Sequence, residues 1–159
     1  MSILVTVADF VVAVTGLDDD EVIIGRENYL EIDFNTNIII VDGLLFTPIG
    51  RTNNYDGTEE ELNYSVRNKV ICTLDFYGTN ALTNANKFFA RLDSQEAYEF
   101  KRDNQMEVFH NTSLTNVKEL QGISTYERWQ VEIMVKYTEQ FTDDVLRIDT
   151  LQYQLYSNK

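Results

Sequence analysis

The sequence predicts an α+β fold: a largely antiparallel β-sheet with an N-terminal helix and two central helices packed on one face, in one domain over residues 1–159. Three observations predict it. Apolar residues open the chain at helical spacing and later alternate at strand spacing. Two helical segments with capping residues sit together in the middle of the chain. The regular strand–helix alternation that builds parallel sheets is missing.

Ser2 stands where an N-cap belongs, and Ile3, Leu4, Val7, Phe10, Val11 and Val14 follow on one helical face. Gly16 is placed to end that helix, although its many β-branched residues oppose it. The acidic turn Asp18-Asp19-Asp20-Glu21 comes next. Leu30, Ile32, Phe34, Ile38 and Ile40 are then expected on one side of a strand region, with Asp42-Gly43 as a hairpin-type turn. Gly50 to Glu61 is polar and is expected to be a mobile loop or a long hairpin tip. Val66, Val70, Cys72, Leu74 and Phe76 alternate with Arg67, Lys69, Thr73 and Asp75, a half-buried strand ending at Gly78.

Thr79 is expected to cap a helix with the apolar face Ala81, Leu82, Ala85, Phe88, Phe89 and Leu92. Ser94 is expected to cap a shorter one, with Glu96 in the first turn where the helix dipole favours an acid. Met106 to His110 and Val117 to Leu120 are short strand candidates. The clearest strand carries Trp129, Val131, Ile133, Val135 and Tyr137 on one side, with Arg128, Gln130, Glu132, Lys136 and Thr138 on the other. A last strand is expected over Leu146, Ile148, Leu151, Tyr153 and Leu155, with a bulge near Thr150 where the phase slips.

The chain has 159 residues, one cysteine, one histidine and a net charge of −13. One cysteine excludes an internal disulfide framework and suits a reducing compartment. The apolar stretches Ile3 to Val14 and Ile38 to Val41 are far short of the roughly 20 residues that span a bilayer. No signal peptide is read at the N-terminus, so synthesis and folding in a cytoplasm are expected. The charge is lopsided. Residues 1–65 hold 13 acids against Arg26 and Arg51, a net of −11, whereas residues 66–159 sum to −2. A uniformly acidic surface serves solubility, but such asymmetry points to a face with a task, and that face repels nucleic acid.

The search for chemistry leads to surfaces. Catalysis by proton transfer or nucleophilic attack usually relies on a histidine held by a partner, and His110 has no recognisable motif around it. Cys72 falls on the apolar phase of its strand, where a thiol is a small hydrophobe. One cysteine and one histidine cannot close a zinc site in one chain. Asp18 to Glu21 lacks the alternating spacing and glycine of a calcium loop and reads as a solvated turn. No phosphate-binding glycine pattern is present. No catalytic, cofactor-binding or metal-ligating residue is therefore expected. Two other classes stay open: a small-ligand or carbohydrate-binding module using aromatics such as Trp129 or Tyr55, and an enzyme with an unpatterned carboxylate site.

The segment Lys69 to Leu155 carries a further pattern: Leu74-Asp75-Phe76-Tyr77-Gly78-Thr79-Asn80-Ala81, then Ala85-Asn86-Lys87-Phe88, Leu92-Asp93-Ser94 and the strand opened by Tyr126-Glu127-Arg128. It resembles the phage neck and tail-terminator proteins of long-tailed bacteriophages and prophages. The N-terminal third matches in layout, a short helix and then strands flanking a turn at Arg51 to Asn54. It departs from the family in having Asp18 to Glu21 where members often carry a proline- or arginine-rich stretch. The resemblance implies a structural, non-enzymatic virion protein forming a homo-oligomeric ring, a hexamer, in the neck. Such a ring caps the tail tube protein, stops its polymerisation, and meets the head-tail connector or head completion protein. A head-completion, tail-completion or tube subunit is the alternative within the virion. Genomic DNA is then a partner only in passage, and Asp18, Asp19, Asp20 and Glu21 are expected to face the lumen, the alternative being that they merely face solvent.

Overall fold

The computed structural model describes residues 2–25, 33, 35–117, 119–121 and 124–145. They form the expected α+β arrangement. Helix α1 (Ile3–Thr15) and an acidic 3₁₀ turn (Asp19–Glu21) lead into strands β1 (Val22–Ile24), β2 (Ile38–Asp56) and β3 (Glu61–Tyr77). Helices α2 (Ala81–Arg91) and α3 (Gln95–Asp103) follow, then β4 (Met106–His110), β5 (Thr115–Asn116), β6 (Glu119–Gln121), β7 (Ser124–Tyr126) and β8 (Arg128–Asp144). The main sheet has the order β1-β2-β3-β8-β4, with β5 also on β8, while β6 and β7 form a separate pair. Its pairings are antiparallel except for β1 on β2, which is parallel. The expected strand over Leu146 to Leu155 with its bulge near Thr150, and the positions Leu30, Ile32 and Phe34, lie outside the described residues.

Burial outweighs propensity in α1. Val7, Phe10, Val11 and Val14 are fully buried, which offsets the rotamer cost of a β-branched helix. Gly16 ends it in the left-handed region (φ 66°), its N–H donating to the Val12 carbonyl at 2.7 Å. Ser2 holds the N-cap position through its carbonyl, which accepts from Val5 N at 3.0 Å; its hydroxyl makes no cap bond.

The sheet face beneath the helices contributes Ile39 and Val41 from β2, Val70, Cys72, Leu74 and Phe76 from β3, and Val131, Ile133 and Val135 from β8. Phe10, Phe88 and Phe76 meet there, the Phe88 ring centroid lying 6.3 Å from each of the other two. On β2 the expected phase is reversed: Ile39 and Val41 face the helices, and Ile38 and Ile40 the opposite side. Four consecutive apolar residues carry no alternation from which a phase can be read.

Other expectations are corrected. Asp42-Gly43 is no turn; both residues lie inside β2, opposite Thr73 and Cys72. A Cβ added at Gly43 would meet the ends of the Phe46 and Leu4 side chains, at 2.9 and 3.0 Å, which would have to shift. The stretch Arg51 to Asn54, expected as a turn, is also strand, while the polar segment 50–61 takes the second of its two expected forms, a long hairpin tip that turns at Gly57 to Glu60. The cap of α2 is Asn80 rather than Thr79, and its side chain makes no cap bond. Instead the Asn80 N–H donates to Asn37 Oδ1 at 2.9 Å, tying the helix start to the segment before β2. In α3, Ser94 Oγ accepts from Ala97 N at 3.2 Å as expected, and Glu96 in the first turn pairs with Arg91.

Candidate functional site

β2, β3 and β8 continue far beyond the helices. β2 alone has 19 residues, about 60 Å at ~3.3 Å per residue. Arg51 to Asp56, Glu61 to Val66 and Glu139 to Asp144 form a three-stranded arm in unbroken register. Alternation assigns its two faces. Continuous with the helix-covered side are Phe46, Tyr55, Leu62, Tyr64, Val66 and Phe141, interspersed with Arg51, Asn53, Glu139 and Asp143. Phe46, Tyr55 and Phe141 are 52%, 47% and 54% exposed. Leu44 and Ile49, at the two register shifts of β2, and Leu45, on the reverse face opposite Ile71, are exposed as well. The reverse face is polar, with Arg67, Lys69, Ser65, Asn63 and Thr142, the last donating from Oγ1 to Asn63 Oδ1 at 2.7 Å. A small sheet with exposed aromatic side chains on an uncovered face is an arrangement that ordinarily finds a partner surface.

Among the described residues the two acidic runs of 1–65 do not share one face. Asp18 to Glu21 sit beside the start of β1, at the end of the sheet remote from the hairpin tip. There the Glu21 carboxylate accepts from Asp18 N at 3.0 Å, while Asp18, Asp19 and Asp20 are exposed. The other group, Asp56, Glu59, Glu60 and Glu61, lies at the tip, joined by Asp143 and Asp144 because Glu61 pairs with Asp144. Two acidic runs of the first 65 residues thus stand at separate ends of the sheet, one of them shared with the second half of the chain.

Where β3 runs into α2, Gly78 has φ 92°, and a Cβ there would fall 2.4 Å from the Thr36 carbonyl oxygen. Just before it, Arg128 forks onto Asp75, with Nε to Oδ1 and Nη2 to Oδ2 both 3.1 Å, and lies 5.5 Å above the Tyr77 ring. Sequence reasoning finds Arg128 and Asp75 on the polar phase of their strands but not their pairing, which depends on the β3–β8 register.

The residues weighed for chemistry are placed plainly. His110 is exposed on β4, its ring edge-on to Phe89 with centroids 6.3 Å apart. Trp129 is half-buried against the core and Tyr55 is exposed on the arm. A groove beside β4 is lined by Asp93, Tyr98, Lys101, Arg102, Val108 and Phe109. Its two cations are engaged, Lys101 with the Leu92 carbonyl and Asp93, and Arg102 with Asp103. Among the described residues no three His, Cys, Asp or Glu side chains are grouped to hold a metal ion, and no helix is long and apolar enough to cross a membrane.

Cys72 is fully buried, and burial, with the Asp42 charge as a second cause, pushes its thiol up to about 12. A raised folded-state value means that the contribution of this group is complete at lower pH. Stability is then lost as pH climbs from 9.0, the ordinary value, toward about 12. The thiol is expected to ignore a chromogenic disulfide reagent at pH 8 in the folded protein and to react fully in denaturant; rapid reaction without denaturant would contradict its burial.

Compared with models of protein families, residues 2–159 match that of the phage neck terminator protein. The match takes in the N-terminal helix and the acidic turn as well as the segment from Lys69 onward. A comparison with curated proteins gives no match.

Proposed function

The chain belongs to the phage neck terminator family, and from that premise we propose that it acts as a ring, a hexamer, seated on the last ring of the tail tube. The ring stops polymerisation of the tube protein on one side and offers the head-tail connector or head completion protein a surface on the other. Membership itself makes the chain a structural component of the phage neck, in contact with other head and tail proteins. The observation that carries the ring is the arm. Three strands stand clear of the helices with an uncovered face that mixes aromatic side chains with charges, and a cyclic assembly brings unlike surfaces of identical subunits together at every junction.

Negative-stain imaging of the purified protein, alone and mixed with tail tubes, tests the reading. Rings, or caps at tube ends, are expected; a stable monomer that ignores tubes overturns it. Copy number in the particle separates a terminator, present as one ring per tail, from a tube protein present as many.

The acidic turn Asp18 to Glu21 belongs to the same proposal as a lumen-facing element, its charge keeping genomic DNA from adhering as it passes. Its exposure and its distance from the tip acids support this role. Asp18→Asn, Asp19→Asn, Asp20→Asn and Glu21→Gln together keep the side-chain acceptors of the turn and remove its charge. Particles carrying all four are expected to assemble normally and to release DNA more slowly; unchanged release sinks the lumen role.

A further inference from the structure

Among the described residues the arm has two bare edges. On its outer side β2 is accompanied by β1 only at Ile39–Val41, and among the described residues no strand follows it from there to Asp56. Across the sheet, β4 accompanies β8 at Ile133–Tyr137, and no described strand lies beside Thr138 to Asp144. Arg51 to Tyr55 and Glu139 to Asp144 are exposed.

A bare edge is a row of backbone donors and acceptors ready for another strand, and proteins blunt the edges they leave open with proline, bulges or short length. β2 carries such devices only near the body: Pro48, and register shifts between Gly43 and Leu45 and between Pro48 and Gly50. From Arg51 onward its ladder is regular, and the same rungs pass unshifted through β3 into β8. The blunting stops where the regular ladder begins.

Direction and charge indicate what fits there. β2 and β8 are both antiparallel to β3, so they run the same way along opposite sides of one arm. A copy rotated about an axis along the arm brings the β8 edge of one molecule against the β2 edge of the next. A two-fold axis brings like edges together instead. One rung reads Arg51–Val66–Glu139, with all three side chains on one face. Arg51 is the one base between Gly43 and Val66 and has no ion-pair partner among the described residues. Four rungs on, and so on the same face, Tyr55–Leu62–Asp143 repeats the arrangement with a hydroxyl and a carboxylate at the two edges.

We infer that neighbouring copies of this chain join edge to edge. Arg51 to Tyr55 of β2 in one copy pairs in parallel with Glu139 to Asp143 of β8 in the next, and Arg51 meets Glu139 across the junction. The inference rests on the ring proposed above and specifies the surfaces that close it. The pairing ends at the following rung, where Asp56 would face Asp144 and like charges oppose contact.

Cysteine cross-linking of the full chain tests it. Asn53 and Phe141 share a rung with Tyr64 between them, so within one copy their Cα atoms are about 9.5 Å apart, two strand spacings. That exceeds the roughly 7 Å a disulfide spans. Across the junction they would be one spacing apart, about 4.8 Å. Oxidised glutathione added to the variant carrying both Asn53→Cys and Phe141→Cys is expected to give a ladder of covalent oligomers ending at the ring size, while neither single variant does. Rings in negative stain without a ladder overturn the edge pairing and leave the ring standing; absence of both overturns both. Charge reversal gives an independent reading that needs no new thiol. Arg51→Glu alone and Glu139→Arg alone are each expected to weaken assembly about tenfold or more at low salt, and the double variant to recover it. With folding checked by circular dichroism, a double variant no better than the singles overturns the Arg51–Glu139 contact.

Discussion

Replacing Phe88 with alanine is expected to destabilise the protein by about 3–5 kcal/mol, the range for deleting a buried aromatic ring. Phe88 is fully buried on α2. It stands edge-on to Phe10 of α1, tilted against Phe76 of β3, and 6.0 Å from Phe89. Its ring therefore joins two helices to the sheet, and three separate elements would have to move together to fill the space it leaves. Such a site collapses poorly, which places the cost toward the upper part of the range. Chemical denaturation should show an earlier midpoint with an unchanged slope, and the melting temperature should fall by roughly 6–20 °C. A loss below about 1 kcal/mol would mean that α2 does not pack on the core as described.

Gly78→Ala is the second large effect. At φ 92° an L-residue is strained in itself, a cost of roughly 1–3 kcal/mol. The added methyl would also lie 2.4 Å from the Thr36 carbonyl oxygen and 2.8 Å from Asn37 Oδ1. The first is backbone and cannot swing aside. The second is the acceptor that holds Asn80 N at the start of α2, so relieving the clash loosens the helix start as well. A total of roughly 3 kcal/mol or more is expected by thermal or denaturant unfolding. Gly50→Ala is the control. Nothing lies within 4 Å of its would-be Cβ, and a change within about 0.5 kcal/mol is expected. Equal losses at the two positions would refute the explanation from local geometry.

These two residues show how far the sequence could be read. Phe88 was legible because α2 pairs a clear apolar face with polar neighbours, as β3 and β8 do through Val70 to Phe76 and Trp129 to Tyr137. The constraint on Gly78 was legible only as an end to the strand; its reason lies 42 positions earlier, in Thr36. β2 was the least legible element. Its uniform run Ile38 to Val41 has no phase, and its polar stretch Arg51 to Asp56 resembles a loop because an arm without a covering layer needs no strict alternation. The candidate assembly surface was hidden for the same reason. Arg51 and Glu139 are 88 positions apart, and only the shared partner Val66 sets them on one rung. The tail-terminator resemblance, clearest from Lys69 to Leu155, proved to extend over residues 2–159.

β3 belongs at once to the body and to the arm. It runs without a break from Glu61 at the tip to Tyr77 beneath the helices, with β8 beside it on every rung. β3 and β8 pass from body to arm without a register shift, and only β2 is shifted on the way, between Gly43 and Leu45 and between Pro48 and Gly50. Ladder hydrogen bonds lie across the strands. A pull along the arm is therefore shared in shear by all rungs at once, whereas a sideways pull peels them one at a time from the tip. The β3–β8 ladder is accordingly expected to resist a pull along β3 better than one across it.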